Sequence, residues 1–183
     1  MEWFVDEHVL LRPVRWYDAE ELYVVVDTHR ASLGLFLPWV RTTTLRDVYA
    51  MIEAALRQEE RGEGYQTVIL YDRRIVGFLG IQRIDWTHRN TSLGYWLAPP
   101  FQGRGIMTRA VRVLVDYAFR HMRLHRIEIR TAVENTRSRR VAERLGFREE
   151  GVLREVEWLG DRYVDHVVYG LLEGEWSSRT DRA

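Results

Sequence analysis

The sequence has no cysteine. That one absence removes disulfides, thiolate metal sites and a cysteine nucleophile. It has no net charge either: 27 Lys+Arg balance 27 Asp+Glu in 183 residues. The balance argues against a nucleic-acid protein held by bulk electrostatics, though it leaves room for a local basic patch. No apolar run approaches ~18 residues, the length a membrane span needs. The opening MEWFVDEHVL lacks the basic-then-apolar layout of a signal peptide. A cytoplasmic protein with no membrane or direct nucleic-acid partner is therefore expected. No repeat, low-complexity segment or Pro/Gly/Ser linker divides the chain, so one domain over residues 1–183 is expected, with its core at about 9–176. No grouping of His, Asp and Glu has metal-ligand spacing, and no metal is expected. Aromatic residues, by contrast, are plentiful. Seven Trp and nine Tyr suggest that some line a ligand surface rather than the core.

Hydrophobic periodicity supplies a coarse order of elements. Residues 9–14 (VLLRPV) read as a strand. Asp18 followed by Glu21 has capping-box spacing ahead of Leu22, Val25, Val26 and His29 at helical intervals. Residues 33–40 (LGLFLPWV) read as an apolar loop broken by a proline, and Thr44 caps a second helix in which Val48, Ile52, Ala55 and Leu56 share a face. Residues 65–72 and 75–84 form a β-hairpin about a turn at Arg73-Arg74; after the polar DWTHRN, a third strand spans 91–98. From Thr108 the stripe Val111, Leu114, Val115, Ala118 and Met122 marks the clearest helix. A strand over 126–133 follows, then a short helix over 136–145 ended by Gly146. Two strands around the hairpin signal Gly160-Asp161 close the chain. The order β α α β β β α β α β β predicts an α/β (α+β) fold, a central mixed sheet with helices on both faces.

Trp96 to Val111 reads WLAPPFQGRGIMTRAV. Two glycines one residue apart stand between a strand and a helix, where backbone must turn sharply or be approached closely. Just behind them, a helix N-terminus carries unpaired N–H groups and partial positive charge. Such a turn suits an anion. A Walker loop is excluded, because no Gly-Lys pair occurs in the chain. A dinucleotide fingerprint fails as well: its third glycine place is Thr108, and the turn lies mid-chain. From the turn alone, phosphate binding and plain turn geometry are both open.

Gln102-Gly103-Arg104-Gly105-Ile106-Met107 resembles the [QR]-x-x-G-x-[GA] signature of the Gcn5-related N-acetyltransferases (GNAT), with Met107 departing from the small last residue. Downstream, AVENTRSRRVAERLGFREEGVLREVEWLGDRYVDHVVYGL, together with FLPWV near the start, resembles the RimL/RimJ-type branch of ribosomal-protein N-acetyltransferases. The likeness covers about residues 9–176. It implies the GNAT fold, a twisted, mostly antiparallel mixed sheet, and acetyl-CoA as co-substrate. Pantetheine would pair with backbone at Trp96, Leu97 and Ala98, and pyrophosphate would rest on the amides from Gln102 to Met107 and on the helix start at Thr108. Asn135 and Ser138 would contact the cofactor. Many relatives protonate the leaving thiolate with a Tyr whose place here is Ala142; in the RimL-type branch a Ser does so, and it matches Ser138. The general base matches Glu157. Trp39, Trp96 and Asp165 would border the acceptor, a protein N-terminal α-amine, and a homodimer is implied.

The chemistry calls for such groups. A protonated amine is not a nucleophile, so a base must take its proton. An α-amine, with a pKa of about 7.7–8.0 against about 10.4 for lysine, asks less of a carboxylate. The developing oxyanion needs a donor, and the backbone N–H near Leu97 is the candidate.

The same residues have structural readings. Asn135 and Ser138 are favoured helix caps. Glu157 beside Trp158 fits a solvated edge carboxylate, and Asp165 fits a partner for an arginine or a turn. Trp39, Trp86, Trp96 and Trp158 flank an acceptor groove or pack in the core. His121 and His166 are not expected to be the main base. Arg137, Arg139, Arg140, Arg144 and Arg148 form a solvated cluster from which one or two, or else Arg104 or Arg109, reach the CoA 3′-phosphate. The competing functions are acetylation of a small-molecule amine and a non-catalytic acyl-CoA sensor.

Overall fold

A computed structural model of the protein describes residues 2–180; Met1 and residues 181–183, the outermost parts of the expected 1–183 domain, lie outside the described residues. In chain order the elements are β1 (Trp3–Phe4), β2 (Val9–Pro13), α1 (Ala19–Thr28), α2 (Arg30–Leu33), α3 (Leu45–Glu60), β3 (Tyr65–Tyr71), β4 (Arg74–Ile81) and β5 (Asn90–Leu97). They continue with α4 (Ile106–Arg120), β6 (Arg126–Ala132), α5 (Thr136–Leu145), β7 (Arg148–Trp158), β8 (Tyr163–Leu172) and α6 (Glu173–Thr180).

The described strands form one eight-stranded sheet in the order β1-β2-β3-β4-β5-β6-β8-β7. The β5–β6 pair is parallel and the others are antiparallel. Because side chains alternate across a strand, each face has its own core. On one face α4 lays down Ala110, Val111, Leu114, Val115 and Ala118, all fully buried, against Leu79, Ile81, Ile127, Ile129 and Tyr169. On the other, Leu22 and Val26 of α1 and Val48, Ile52 and Ala55 of α3 pack on Val68, Leu70, Ile75 and Trp96. Each buried Val, Leu or Ile among them contributes about 1.5–3 kcal/mol. This is the mixed sheet with helices on both faces that the periodicity predicts.

Local departures have identifiable causes. Asp18 stands at the N-cap of α1, but its side chain makes no capping bond: its carboxylate accepts from the Arg15 N–H at 2.7 Å and takes both guanidinium nitrogens of Arg12 at 2.7 Å, closing a short 3₁₀ turn. Glu21 reaches across to accept the Ile75 N–H at 2.8 Å. Tertiary partners therefore took both members of the expected capping box. Thr44 does cap α3, in a box with Asp47. The β3–β4 turn sits at Asp72-Arg73, both at positive φ, and β4 ends at Ile81 rather than residue 84. The apolar 33–40 segment contains the end of α2 and a 3₁₀ turn over Pro38–Arg41. β1 and α6 have too little periodicity to be seen in the sequence. Among the described residues no helix is long and apolar enough to cross a membrane.

Candidate functional site

β5 pairs with its two neighbours over different lengths. With β4 the register runs from Ile81–Leu93 to Gly77–Leu97. With β6 it ends at Leu93–Ile129, so beyond Leu93 the two strands diverge and open a gap. Successive peptide groups of a strand point to opposite sides. The Ala98 N–H donates to the Val76 carbonyl at 2.8 Å, so the Leu97 N–H points away from β4, into the gap. Gln102 Nε2 occupies the Leu97 carbonyl at 2.7 Å; the N–H is the donor that faces the opening. The Trp96 side chain falls on the face covered by α1 and α3 and is 8% exposed in the core. The expected substrate contact at Trp96 is thus corrected to a packing position. Leu97 and Ala98 are buried too, and what this strand end offers a ligand is backbone.

The glycine turn follows. Gly103 (φ 76°) and Gly105 (φ 71°) are left-handed, a conformation that costs other residues dearly. A Cβ on Gly103 would meet nothing within 4 Å, so conformation rather than crowding calls for glycine, and the space above the turn is open. Gly105 is the N-cap of α4, whose ladder begins with Arg109 N–H to Gly105 carbonyl at 3.1 Å. The amides of Ile106, Met107 and Thr108 head the helix, two residues earlier than the stripe predicts. Met107 turns its side chain into the core beside Ile106, so the non-small residue leaves the amide face clear. Arg109 is committed to Asp6 at 2.9 Å and to the Arg104 carbonyl at 3.1 Å. Arg137 of α5 donates to Gln102 Oε1 at 2.5 Å, which stations one arginine of the cluster beside the turn.

At the start of α5 the Asn135 side chain accepts the Ser138 N–H at 3.2 Å, so its capping reading holds. Ser138 Oγ donates to Tyr95 Oη at 3.1 Å, and Tyr95 Oη donates to the Ser138 carbonyl at 3.2 Å. Burial pushes the Tyr95 phenol up to about 12, so it remains a protonated donor. The sequence reading passed over Tyr95; the available signal was parity, since a residue next to core-facing Trp96 must point to the opposite face. Ala142 is fully buried core.

Glu157 is placed by an irregular hairpin. Leu153 of β7 stands opposite His166 of β8, and Glu157 opposite Val164. β7 therefore carries two surplus residues, with Glu155 at φ 50°. The Glu155 N–H donates to Asp165 Oδ1 at 2.7 Å; Asp165, expected at the acceptor, pins this bulge. Glu157 Oε2 lies 2.9 Å from His166 Nε2. Val164 packs with Ala132, Leu159 and Phe36, on the face away from α4. Trp39 is 38% exposed in the connection that carries Phe36, and Trp158 meets Tyr163 in a tilted pair, ring centroids 4.9 Å apart, near the hairpin tip. Trp86 lies elsewhere, donating to the Gly62 carbonyl. Among the described residues no group of three or more His, Cys, Asp or Glu could hold a metal ion.

Comparison with known proteins places the chain. Residues 8–148 match the model of the acetyltransferase (GNAT) domain. The chain is 36% identical over 174 residues to the putative ribosomal N-acetyltransferase YdaF of Bacillus subtilis, covering 94% of this chain and 95% of that protein. RimL, the ribosomal L7/L12 alpha-N-protein acetyltransferase solved with coenzyme A, superposes with a TM-score of 0.90 at 25% identity, covering 94% and 98% of the two chains. The microcin C7 self-immunity acetyltransferase MccE, solved with acetyl-CoA and AMP, gives 0.86 at 27% identity, covering 92% and 94%.

Proposed function

The chain belongs to the GNAT acetyltransferase family, and we propose that it moves the acetyl group of acetyl-CoA to a protein N-terminal α-amine, with Glu157 as general base and Ser138 as proton donor to the thiolate. The observation that supports this reading is that the two groups lie on opposite faces of the sheet, on the side of β5 where it parts from β6. Ser138 is tied to Tyr95 on the α4 face, and Glu157 stands opposite Val164 on the other face. An amine entering from one face and a sulfur leaving toward the other suit attack and departure at one carbonyl carbon.

The residues fit the co-substrate. The left-handed turn and the amides heading α4 form a nest for pyrophosphate, backed by the helix dipole; Arg137 stands beside it. The unpaired edge of β5 suits an amide-bearing arm. When bound, acetyl-CoA supplies an activated thioester. Glu157 takes a proton from the ammonium, freeing the nitrogen lone pair to attack. The Leu97 N–H donates to the oxygen on which charge develops. As the carbon–sulfur bond breaks, Ser138 gives its proton to the sulfur and is reprotonated from the new amide nitrogen through solvent. No acyl-enzyme is required.

Two things support an α-amine acceptor: YdaF and RimL carry ribosomal-protein names, and an α-amine is less basic than a lysine. The chain contains no lysine, so ε-acetyl groups in an assay can come from an added acceptor alone. The test is thiol release with acetyl-CoA and short peptides with free or blocked N-termini, against spermidine as a small amine. Free peptides should turn over, and Glu157→Gln should cut kcat/KM by about 10²–10⁴-fold. Full activity in that variant would remove Glu157 from the base role. Turnover of spermidine but not of peptides would move the acceptor to small molecules.

A further inference from the structure

We infer that His166 is a positioning residue for the general base, donating its Nε2–H to Glu157 Oε2 so that Oε1 alone is presented to the incoming amine. The inference rests on the proposed base role of Glu157. Three observations carry it. The nitrogen and oxygen are 2.9 Å apart, with the His166 side chain 17% exposed and that of Glu157 33% exposed. The imidazole is therefore the drier partner, and the carboxylate keeps a face to solvent through which a captured proton can leave. The second observation is where the pair sits. His166 stands opposite Ala132, the last residue of β6, on β8, the strand between β6 and the outermost strand β7. The imidazole therefore ties the carboxylate of the outermost strand to the strand next to β6, whose other edge borders the gap.

The third is the bulge. A glutamate on an edge strand has free rotation about its side-chain bonds, and every other residue from Arg148 to Val156 of β7 is exposed. Consecutive residues of β8 remove that freedom at two levels. Asp165 holds the Glu155 N–H at 2.7 Å and so fixes the backbone of the two-residue surplus; His166 then holds the carboxylate itself. Proton transfer needs a base within hydrogen-bond reach of the amine in one orientation, and a carboxylate with one oxygen tethered has fewer unproductive ones. In the transfer step the ammonium N–H bond breaks and the Oε1–H bond forms; His166 neither gains nor loses a proton.

The test uses the full chain with a peptide acceptor and four variants: Glu157→Gln, His166→Leu, His166→Gln, and Glu157→Gln with His166→Leu. His166→Leu removes the donor and should lower kcat about tenfold, the loss expected for one hydrogen bond to a charged group, while the acetyl-CoA dissociation constant and the melting temperature stay at wild-type values. His166→Gln returns an N–H near the same place and should restore most of the rate. In the Glu157→Gln background His166→Leu should cost nothing further, since partners in one interaction are not additive. If His166→Leu is fully active while Glu157→Gln is not, this inference falls and the base assignment stands. If Glu157→Gln is fully active, the base assignment itself falls. A His166→Leu protein that loses rate, cofactor affinity and melting temperature together, with no rescue by Gln, would show a structural histidine and overturn the inference as well.

Discussion

The two ends of the site are built from different materials. The proposed phosphate end, from Gln102 to Thr108, is backbone: left-handed glycines and the amides heading α4, with the side chains of Ile106 and Met107 turned into the core. The proposed chemical end is side chain: Ser138 on α5 bonded to Tyr95 on β5, 43 residues away, and Glu157 on β7 bonded to His166 on the next strand, β8. The first end tolerates changes of side chain and fails when the backbone cannot reach its dihedrals. The second keeps its backbone and fails one functional group at a time.

That contrast predicts a ranking. Gly105→Pro is the largest perturbation, because a ring that locks φ near −65° cannot adopt 71°. Calorimetry should show acetyl-CoA binding abolished, while Arg104→Ala, which alters a side chain of the same turn, should bind within a few-fold of wild type. Retained binding in Gly105→Pro would mean that the glycine turn is only geometry. Next comes Ser138→Ala, expected to lower kcat about 100-fold with cofactor affinity unchanged. Tyr95→Phe, which removes the hydroxyl that holds Ser138, should lie near tenfold. A loss of affinity rather than rate in either would place both at the phosphate end.

Tyr95 also has an alkaline signature. Burial raises its phenol from 10.0 to about 12 in the fold, so the folded state favours the protonated form. This group's contribution to stability is whole below about pH 10 and is lost as the pH rises through about 12. Denaturant midpoints over that range should fall less steeply for Tyr95→Phe than for wild type. The smallest effect is that of Asn135→Ala. It removes the α5 cap and should cost about 1 kcal/mol in denaturant unfolding. A drop in kcat beyond that of a mild destabilisation would give Asn135 a direct place in the chemistry.

The same contrast explains what could be read in advance. The bounds of α5 follow from the residues alone, since Asn135 and Gly146 are local start and stop signals. The stripe of α4 appears in sequence because Val111, Leu114, Val115 and Ala118 repeat at helical spacing; Met122, the fifth expected position, lies just past the end of α4 at Arg120. The glycine turn was legible because a positive φ leaves its mark as residue type. Where a long-range partner competes, local reading fails: Asp18 goes to Arg12 and Glu21 to Ile75, although their spacing is that of a capping box. Trp96 misled for a related reason. Its neighbours in sequence belong to the site, yet alternation along β5 sends its ring into the core between the sheet and the helices α1 and α3. Asp165, expected at the acceptor, anchors a bulge, a feature without periodicity to betray it.

By itself the sequence determined the order of the main strands and helices, the family and the left-handed glycine turn, because each is written in short-range spacing and backbone preference. The tertiary structure alone decided that β5 and β6 part after Leu93, that Tyr95 meets Ser138, and that His166 meets Glu157. The first two depend on how strands and helices pack across the sheet, and the third on the two-residue register shift within the β7–β8 hairpin, while the sheet order itself sets β8 between β6 and β7. A sum of long-range pairings sets that order, and no local stretch of residues encodes it.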